Sequence, residues 1–355
     1  MTAPWDLLIA RDDPSTSELR EASPGEPGPG EALLRMDRAG VTVNNVTYAV
    51  LGDTLRYWEF FPAPHGWGRV PLWGFAEVVA SLAEGVEVGQ RVYGFLPSSS
   101  HLLVSPSRVG THGFRDAAEH RAGLPAVYNS YALTTGDPAY EAQREDLQVL
   151  YRPLFITSFT IAEQLADGGA FGAETVVLSS ASSKTAYGTA ALLHDSGTRV
   201  VGLTSPANLE FTQALGCYDE VLEYGQLDRL RQVPTAYVDM AGSVQLRERL
   251  HAHLREQLVL DLIVGVTHQD TGRAGELPGA KPTLFFAPEV IRRRTAEWGR
   301  AGFDQRFGAA WQGFAPRAEQ WVDVVPAYGP QALQDVWSET VAGRPAPREG
   351  RVLTF

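Results

Sequence analysis

One turn carries most of the chemistry that can be read from this chain. In VVLSSASSKTAYGTAALL (176–193) an apolar run, Val176 to Leu178, stops at a cluster of small and hydroxyl side chains, and a helix-forming stretch follows. Ser182, Ser183 and Thr185 offer hydroxyl donors and Lys184 offers a cation. A helix starting here adds free backbone N–H groups and the positive end of its dipole. Such a set suits an anion, and the order strand, tight turn, helix suits the pyrophosphate of a dinucleotide. The glycines that usually make such a turn are missing. Two other readings therefore stand beside the first: a turn that has lost its nucleotide, and Lys184 acting on a substrate. Lysine is rare here, Lys184 and Lys281 being the only two, so a lysine kept inside a turn stands out.

Other reactive residue types are sparse. The single cysteine, Cys217, lies in ALGCYDEVLEY and reads as a small buried apolar residue. One thiol excludes an intramolecular disulfide and any multi-cysteine zinc or iron–sulfur site. His65, His101, His112 and His120 follow no metal-ligand spacing, and no metal is expected. His251 and His253, two apart, would leave a helix on different faces. A net charge of −12 argues against nucleic acid and against an anionic membrane surface as partners. The opening MTAPWDLLIARDD has no basic n-region and too short an apolar run for a signal peptide. No segment approaches the roughly 18 apolar residues that span a bilayer. The expected location is the cytoplasm.

The elements that must position the turn fall into two halves. A chain of 355 residues exceeds the usual single-domain size, so two domains sharing a cleft are expected. The first hundred residues read as mostly β: EALLRMDRAGVTV and PLWGFAEVVASLAEGVEVGQRVYGFLP hold β-branched and aromatic runs broken by Gly and Pro. ASPGEPGPGE (22–31) reads as an exposed loop. Residues 112–151 show no clear period until EAQREDLQVLYRPLF, which is helix-like or a connector. From about 156 the rhythm becomes α/β. FTIAEQLADGGAF suits a helix ending at Gly, ETVVLSSA a buried strand, TAYGTAALLHDSG a helix closed by Gly197, and TRVVGLTS a second strand. PANLEFTQALG suits a helix, DEVLEY and TAYVDMAG two more strands. SVQLRERLHAHLREQL is an amphipathic helix with Leu246, Leu250, Leu254 and Leu258 at i, i+4 spacing. LVLDLIVGVTH continues as a helix end and a strand, and PTLFFAP is one more strand. Alternation in steps of about 25 residues predicts a parallel, doubly wound sheet. The last stretch, from VDVVPAYG to GRVLTF, predicts strand, helix and strand.

This order resembles the medium-chain dehydrogenase/reductase superfamily, in which a β-rich, GroES-like domain, a Rossmann domain and a short return segment follow one another. PGEPGPGEALLRMDRAGV, VEVGQRVYG, residues 176–224 and the closing GRVLTF carry the likeness. VTVNNVTYAVLGD, YWEFFPAPHGWGRVPLWGFAEVV, VYGFLP, YNSY and RPLFITSF are similar, along essentially the whole chain, to the bacterial domain-of-unknown-function family 2855. The resemblance implies an α/β fold with a GroES-like domain at 1–155, carrying an inserted segment at about 112–151. A Rossmann-like domain at 156–309 and a return segment at 310–355 complete it.

The resemblance also implies site residues. Zinc-free members read roughly Gly-Ala-x-Gly-Gly-Val-Gly after the first Rossmann strand. Here those glycine positions fall on Ser180, Ser183 and Ala186, and the second of the glycine pair is Lys184. No acid ends the second strand, where an NAD-preferring site places one; Thr204, Ser205 and Asn208 stand there instead. Related proteins often have a lysine at the position of Asn208 and a tyrosine at that of Tyr224, both near a 2′-phosphate. The expected cofactor is therefore NADP(H), held by Ser180, Ser182, Ser183, Lys184, Thr185, Thr204, Ser205, Asn208 and Tyr224. GVTVNNVTY occupies the cleft-lining segment of the resembling reductases, which nominates Asn44, Asn45 and Tyr48. Residues 112–151 would cover the cleft and present Tyr128, Asn129 and Tyr131. The aromatic run RYWEFFPAPHGWGRVPLWGF (56–75) fills a core or forms an apolar pocket. The activity implied is zinc-independent, NADP(H)-dependent reduction of an activated double bond or carbonyl in a small or acyl substrate, by a homodimer joined through the Rossmann sheet edge. The alternatives are a non-redox lyase, isomerase or hydrolase on the same frame, using Lys184, Ser183 and Tyr128, and a non-catalytic binding protein.

Overall fold

The computed structural model describes residues 3–264 and 277–355. The chain divides into two compact units, one formed by the residues up to Arg152 together with Val322–Phe355, the other by Pro153–Trp321. The second division lies beyond the expected 309/310, because the helix Ala287–Trp321 belongs whole to the second unit. That helix kinks at Gly299, and Phe307, Trp311 and Phe314 on its later half pack against Phe155, the last ring stacked at 4.5 Å between centroids.

The first unit is β-rich. Its main sheet runs in the order Asp323–Tyr328, Glu349–Thr354, Ala32–Val41, Leu72–Ser81, Arg91–Leu96, Ser130–Leu133, Gly113–Asp116 and Pro106–Gly110, with His101–Val104 also paired to Ala32–Val41. Ser17–Glu21, Trp5–Ala10 and Trp67–Gly68 make a smaller antiparallel sheet. Side chains alternate as a half-buried strand requires: Ala32, Leu34 and Met36 point into the core. The closing stretch is strand, helix and strand, with the helix Gly329–Val341 between two strands that pair in parallel.

Residues 112–151 contribute two four-residue strands to this sheet, although no periodicity marks them in the sequence. A buried side chain holds them. Arg121 Nη1 lies 3.1 Å from Asp116 Oδ2 and donates to Tyr131 Oη at 3.0 Å, while its Nε donates to the Phe60 carbonyl at 3.2 Å. Strands too short to show a period are set here by long-range hydrogen bonds.

The second unit holds a six-stranded, all-parallel sheet in the order Glu220–Glu223, Arg199–Thr204, Thr175–Leu178, Thr235–Asp239, Leu258–Ile263 and Pro282–Leu284. Its central strands are buried on both faces, hence their continuous apolar runs. The helix over FTIAEQLAD begins earlier than expected, at Glu145, and reaches Asp167 through Pro153. The leucine stripe is shorter than expected. Leu246, Leu250 and Leu254 lie on the helix Val244–Leu254, but Arg255 turns at φ 49 and Leu258 opens the next strand. Residues 265–268 of the expected strand lie outside the described residues. Among the described residues no helix is long and apolar enough to cross a membrane.

Candidate functional site

In the second unit the turn at 179–183 joins the strand Thr175–Leu178 to the helix Lys184–Asp195. Ser183 caps that helix, its Oγ accepting from Ala186 N–H at 3.3 Å, as an N-cap serine does. Ser182 Oγ accepts from Asn208 Nδ2 at 3.1 Å, and Tyr224 Oη accepts from Ser180 N–H at 3.1 Å. The three hydroxyl oxygens are thus each anchored by a protein N–H. Among the described residues no acceptor faces their own protons, so each remains a donor. Lys184 opens the helix, and burial pushes its ammonium down to about 8. Half-buried hydroxyl donors, a cation and a helix N-terminus form a donor set that fits phosphate oxygens. Thr185 follows, half-buried, in the first helical turn.

The end of the second strand lies beside this turn. Gly202 makes the approach tight: a β-carbon there would sit 2.9 Å from Ala181 Cβ and 3.0 Å from the Tyr218 ring. Thr204 is buried, within 3.5 Å of the Thr212 hydroxyl, and Ser205 is half-buried. Asn208 and Tyr224 are brought onto the turn itself, Asn208 through Ser182 and Tyr224 through Ser180.

In the first unit Tyr48 lies on the helix Val43–Val50 among the rings of Tyr57, Phe95 and Trp73. Its Oη accepts from Asn44 Nδ2 at 2.7 Å and from Trp73 Nε1 at 3.1 Å. It donates to no group among the described residues. Burial holds the phenol well above its ordinary range, with the two N–H donors opposing that rise, so it stays protonated. Tyr128 Oη is 3.4 Å from Tyr57 Oη, and burial raises both phenols as well. Tyr48, Phe60, Phe61, Phe95 and Leu124 form an apolar cluster against which Tyr57, Trp73 and Tyr128 are only partly buried. The run 56–75 thus divides, Trp58, Phe60 and Phe61 filling core while Tyr57 and Trp73 keep exposed surface.

The other nominated side chains in this unit hold structure. Asn45 is buried, its Oδ1 accepting from Thr42 N–H at 2.7 Å and its Nδ2 donating to the Pro71 carbonyl at 2.9 Å, which starts the helix and ties it to a neighbouring strand. Asn129 is buried with Nδ2 on the Arg121 carbonyl, and Tyr131 is buried with Oη donated to the Phe95 carbonyl at 2.8 Å. Both turn into the unit's own packing, because the segment that carries them is a sheet segment. Trp73 and Tyr57 were missed as individual site residues, though the aromatic run contains both. Ser179 and Asp239, described below, left no signal, since their partnership spans sixty positions.

Two of the histidines are occupied elsewhere: His251 is buried against Asp261 and the Pro278 carbonyl, while His253 meets the Leu230 carbonyl from the opposite side of its helix. Among the described residues no three His, Cys, Asp or Glu side chains gather into a set able to hold a metal ion. Cys217 is buried, and its thiol is pushed up to about 12, which removes it as a nucleophile.

A GroES-like β unit and a parallel Rossmann sheet make a two-unit α/β frame, and its strand–turn–helix carries donors that suit phosphate. Within that frame, residues 39–346 match the model of the family described as protein of unknown function (DUF2855), and the chain belongs to that family. Solved structures share the fold at low identity. CurA from Vibrio vulnificus, in complex with NADPH, is 13% identical with a TM-score of 0.65, over 99% of this chain and 98% of that one. The yhdH oxidoreductase from Salmonella enterica, in complex with NADP, is 13% identical with a TM-score of 0.53, over 99% of both chains. The quinone oxidoreductase from Coxiella burnetii is 14% identical with a TM-score of 0.57, again over 99% of both. No curated protein sequence matches the chain.

Proposed function

We propose that the protein is a zinc-independent, NADP(H)-dependent reductase of an activated double bond or carbonyl in a small or acyl substrate. The observation that carries this reading is the turn at 179–185. Its glycines are gone, yet among the described residues Ser182, Ser183 and Tyr224 each keep a hydroxyl proton unclaimed beside Lys184 and a helix N-terminus. Two proteins of the same fold, CurA and yhdH, are described with NADPH and NADP bound, which supports this choice of ligand. NADP(H) is favoured over NAD(H) because Thr204, Ser205 and Asn208 end the second strand in place of an acid that would repel a 2′-phosphate.

When bound, the nicotinamide supplies a hydride. The chain's part is to hold the phosphates and to provide a proton. Ser182, Ser183, Thr185 and Lys184 bind pyrophosphate oxygens, and Asn208 and Tyr224 border the ribose phosphate. Tyr48 is the proton donor: its Oη–H is unclaimed among the described residues, and the N–H groups of Asn44 and Trp73 stabilise the charge left on the oxygen as the proton departs. Tyr57 and Tyr128 line the same apolar cluster and favour a substrate with an apolar body. The zinc ligands of the alcohol-dehydrogenase branch have no counterpart, since the one cysteine is the inert Cys217. We further place a homodimer interface at the edge strand Pro282–Leu284, where Leu284 and Phe286 expose apolar surface.

The test is NADPH consumption against a panel of enones, α,β-unsaturated acyl thioesters, quinones and aldehydes. Turnover of at least one class with NADPH, and little with NADH, is expected. Bound NADPH that stays unoxidised across the panel would move the reading to a non-redox enzyme or a binding protein.

A further inference from the structure

Ser180 turns at φ 49, a left-handed conformation that glycine adopts freely and a residue with a β-carbon does not. Side chains from neighbouring elements hold it there. On one side Ser179, fully buried, donates Oγ–H to Asp239 Oδ1 at 2.8 Å and accepts from the N–H groups of Met240 at 2.9 Å and Ala241 at 3.0 Å. Asp239 is itself fixed: Oδ1 also accepts from Tyr237 Oη–H and Gly242 N–H, both at 3.0 Å, and Oδ2 pairs with Arg247. At Ser180 the N–H goes to Tyr224 Oη. On the far side Ala181 N–H donates to the Leu203 carbonyl at 3.0 Å, and the Ala181 carbonyl accepts from Tyr218 Oη–H at 2.8 Å.

We propose that Ser179, with Asp239 behind it, is a positioning residue for the nucleotide turn. The buried clamp imposes on Ser180 the backbone shape that glycine supplies by its own freedom in related turns. The chain thereby keeps a phosphate-holding conformation after losing its glycines. The functional meaning rests on the nucleotide reading above; the clamp itself needs no ligand.

The test uses the full chain and two readouts: NADPH affinity, and hydrogen exchange of the Ser180 and Ala181 amides without ligand. Ser179→Ala should speed exchange at both amides and weaken NADPH binding about tenfold, the worth of one or two hydrogen bonds. Adding Ser180→Gly should restore the affinity to within about twofold, because glycine takes φ 49 without the clamp. Ser180→Gly alone is the reference for the double variant: with glycine at 180, the further change Ser179→Ala should cost less than about twofold in affinity. A Ser179→Ala loss that Ser180→Gly does not repair would overturn the proposal, since Ser179 would then support the fold at large. Unchanged exchange and affinity in Ser179→Ala would overturn it too. If Ser179→Ala does not fold, Tyr237→Phe removes one donor from Asp239; a smaller loss repaired by Ser180→Gly supports the clamp, and no loss opposes it. Wild-type protein that ignores NADPH would remove the reductase reading, and the exchange arm alone would then decide the clamp.

Discussion

Tyr48 and Lys184 are the side chains whose chemistry depends most on their surroundings. Tyr48 accepts two N–H donors and gives its own proton to no group among the described residues. If it is the proton donor, Tyr48→Phe should lower kcat by about 10²–10⁴, the usual range for a general acid, while leaving NADPH affinity unchanged. Steady-state rates beside a binding titration check both halves; an unchanged kcat would return Tyr48 to packing. Lys184 should report on pH. Its ammonium, lowered to about 8, binds an anion only while protonated. NADPH affinity should therefore be flat below about 8 and fall above it, by up to about tenfold per pH unit. Lys184→Arg should flatten that profile, and a wild-type profile already flat to pH 10 would show that the lysine is not a phosphate ligand. Both residues were legible as types in the sequence. Their hydrogen-bond partners were not, because Trp73 lies twenty-five positions from Tyr48.

Among the elements, those with a repeating pattern were the readable ones. Strands such as Thr175–Leu178 and Arg199–Thr204, buried on both faces, announce themselves as apolar runs closed by Gly197 and Gly216 at the ends of the intervening helices. Gly113–Asp116 and Ser130–Leu133 do not, since neither holds a β-branched residue and buried Arg121 sets their place. The same cause hid the fate of Asn129 and Tyr131. Leu258 misled in the opposite direction, its i, i+4 spacing continuing past a helix that Arg255 had already ended. Gly202 tests how closely the second strand and the turn are fitted. A β-carbon there meets Ala181 and Tyr218, both near 3 Å. Gly202→Ala should cost about 1–3 kcal/mol of stability by overpacking and should weaken NADPH binding as the turn shifts. Urea denaturation beside the titration measures both, and an unchanged midpoint would mean that the turn gives way freely.

For the whole molecule, one parallel sheet and one β-rich unit make the frame, and the match over residues 39–346 gives the family. The frame does not by itself assign a reaction, since one fold hosts many. Its assembly can be tested at the exposed edge: Leu284→Asp with Phe286→Asp should convert a dimer into a monomer in sedimentation, whereas a wild-type monomer would remove the proposed interface. The central claim is that a turn without glycines still holds NADP(H), and titration of the purified wild-type chain with NADPH and with NADH, followed by nicotinamide fluorescence, tests it most directly. Saturable binding of NADPH, at least tenfold tighter than NADH, is the expected result, a difference of about 1.4 kcal/mol. No response to either nucleotide at millimolar concentration would contradict the account.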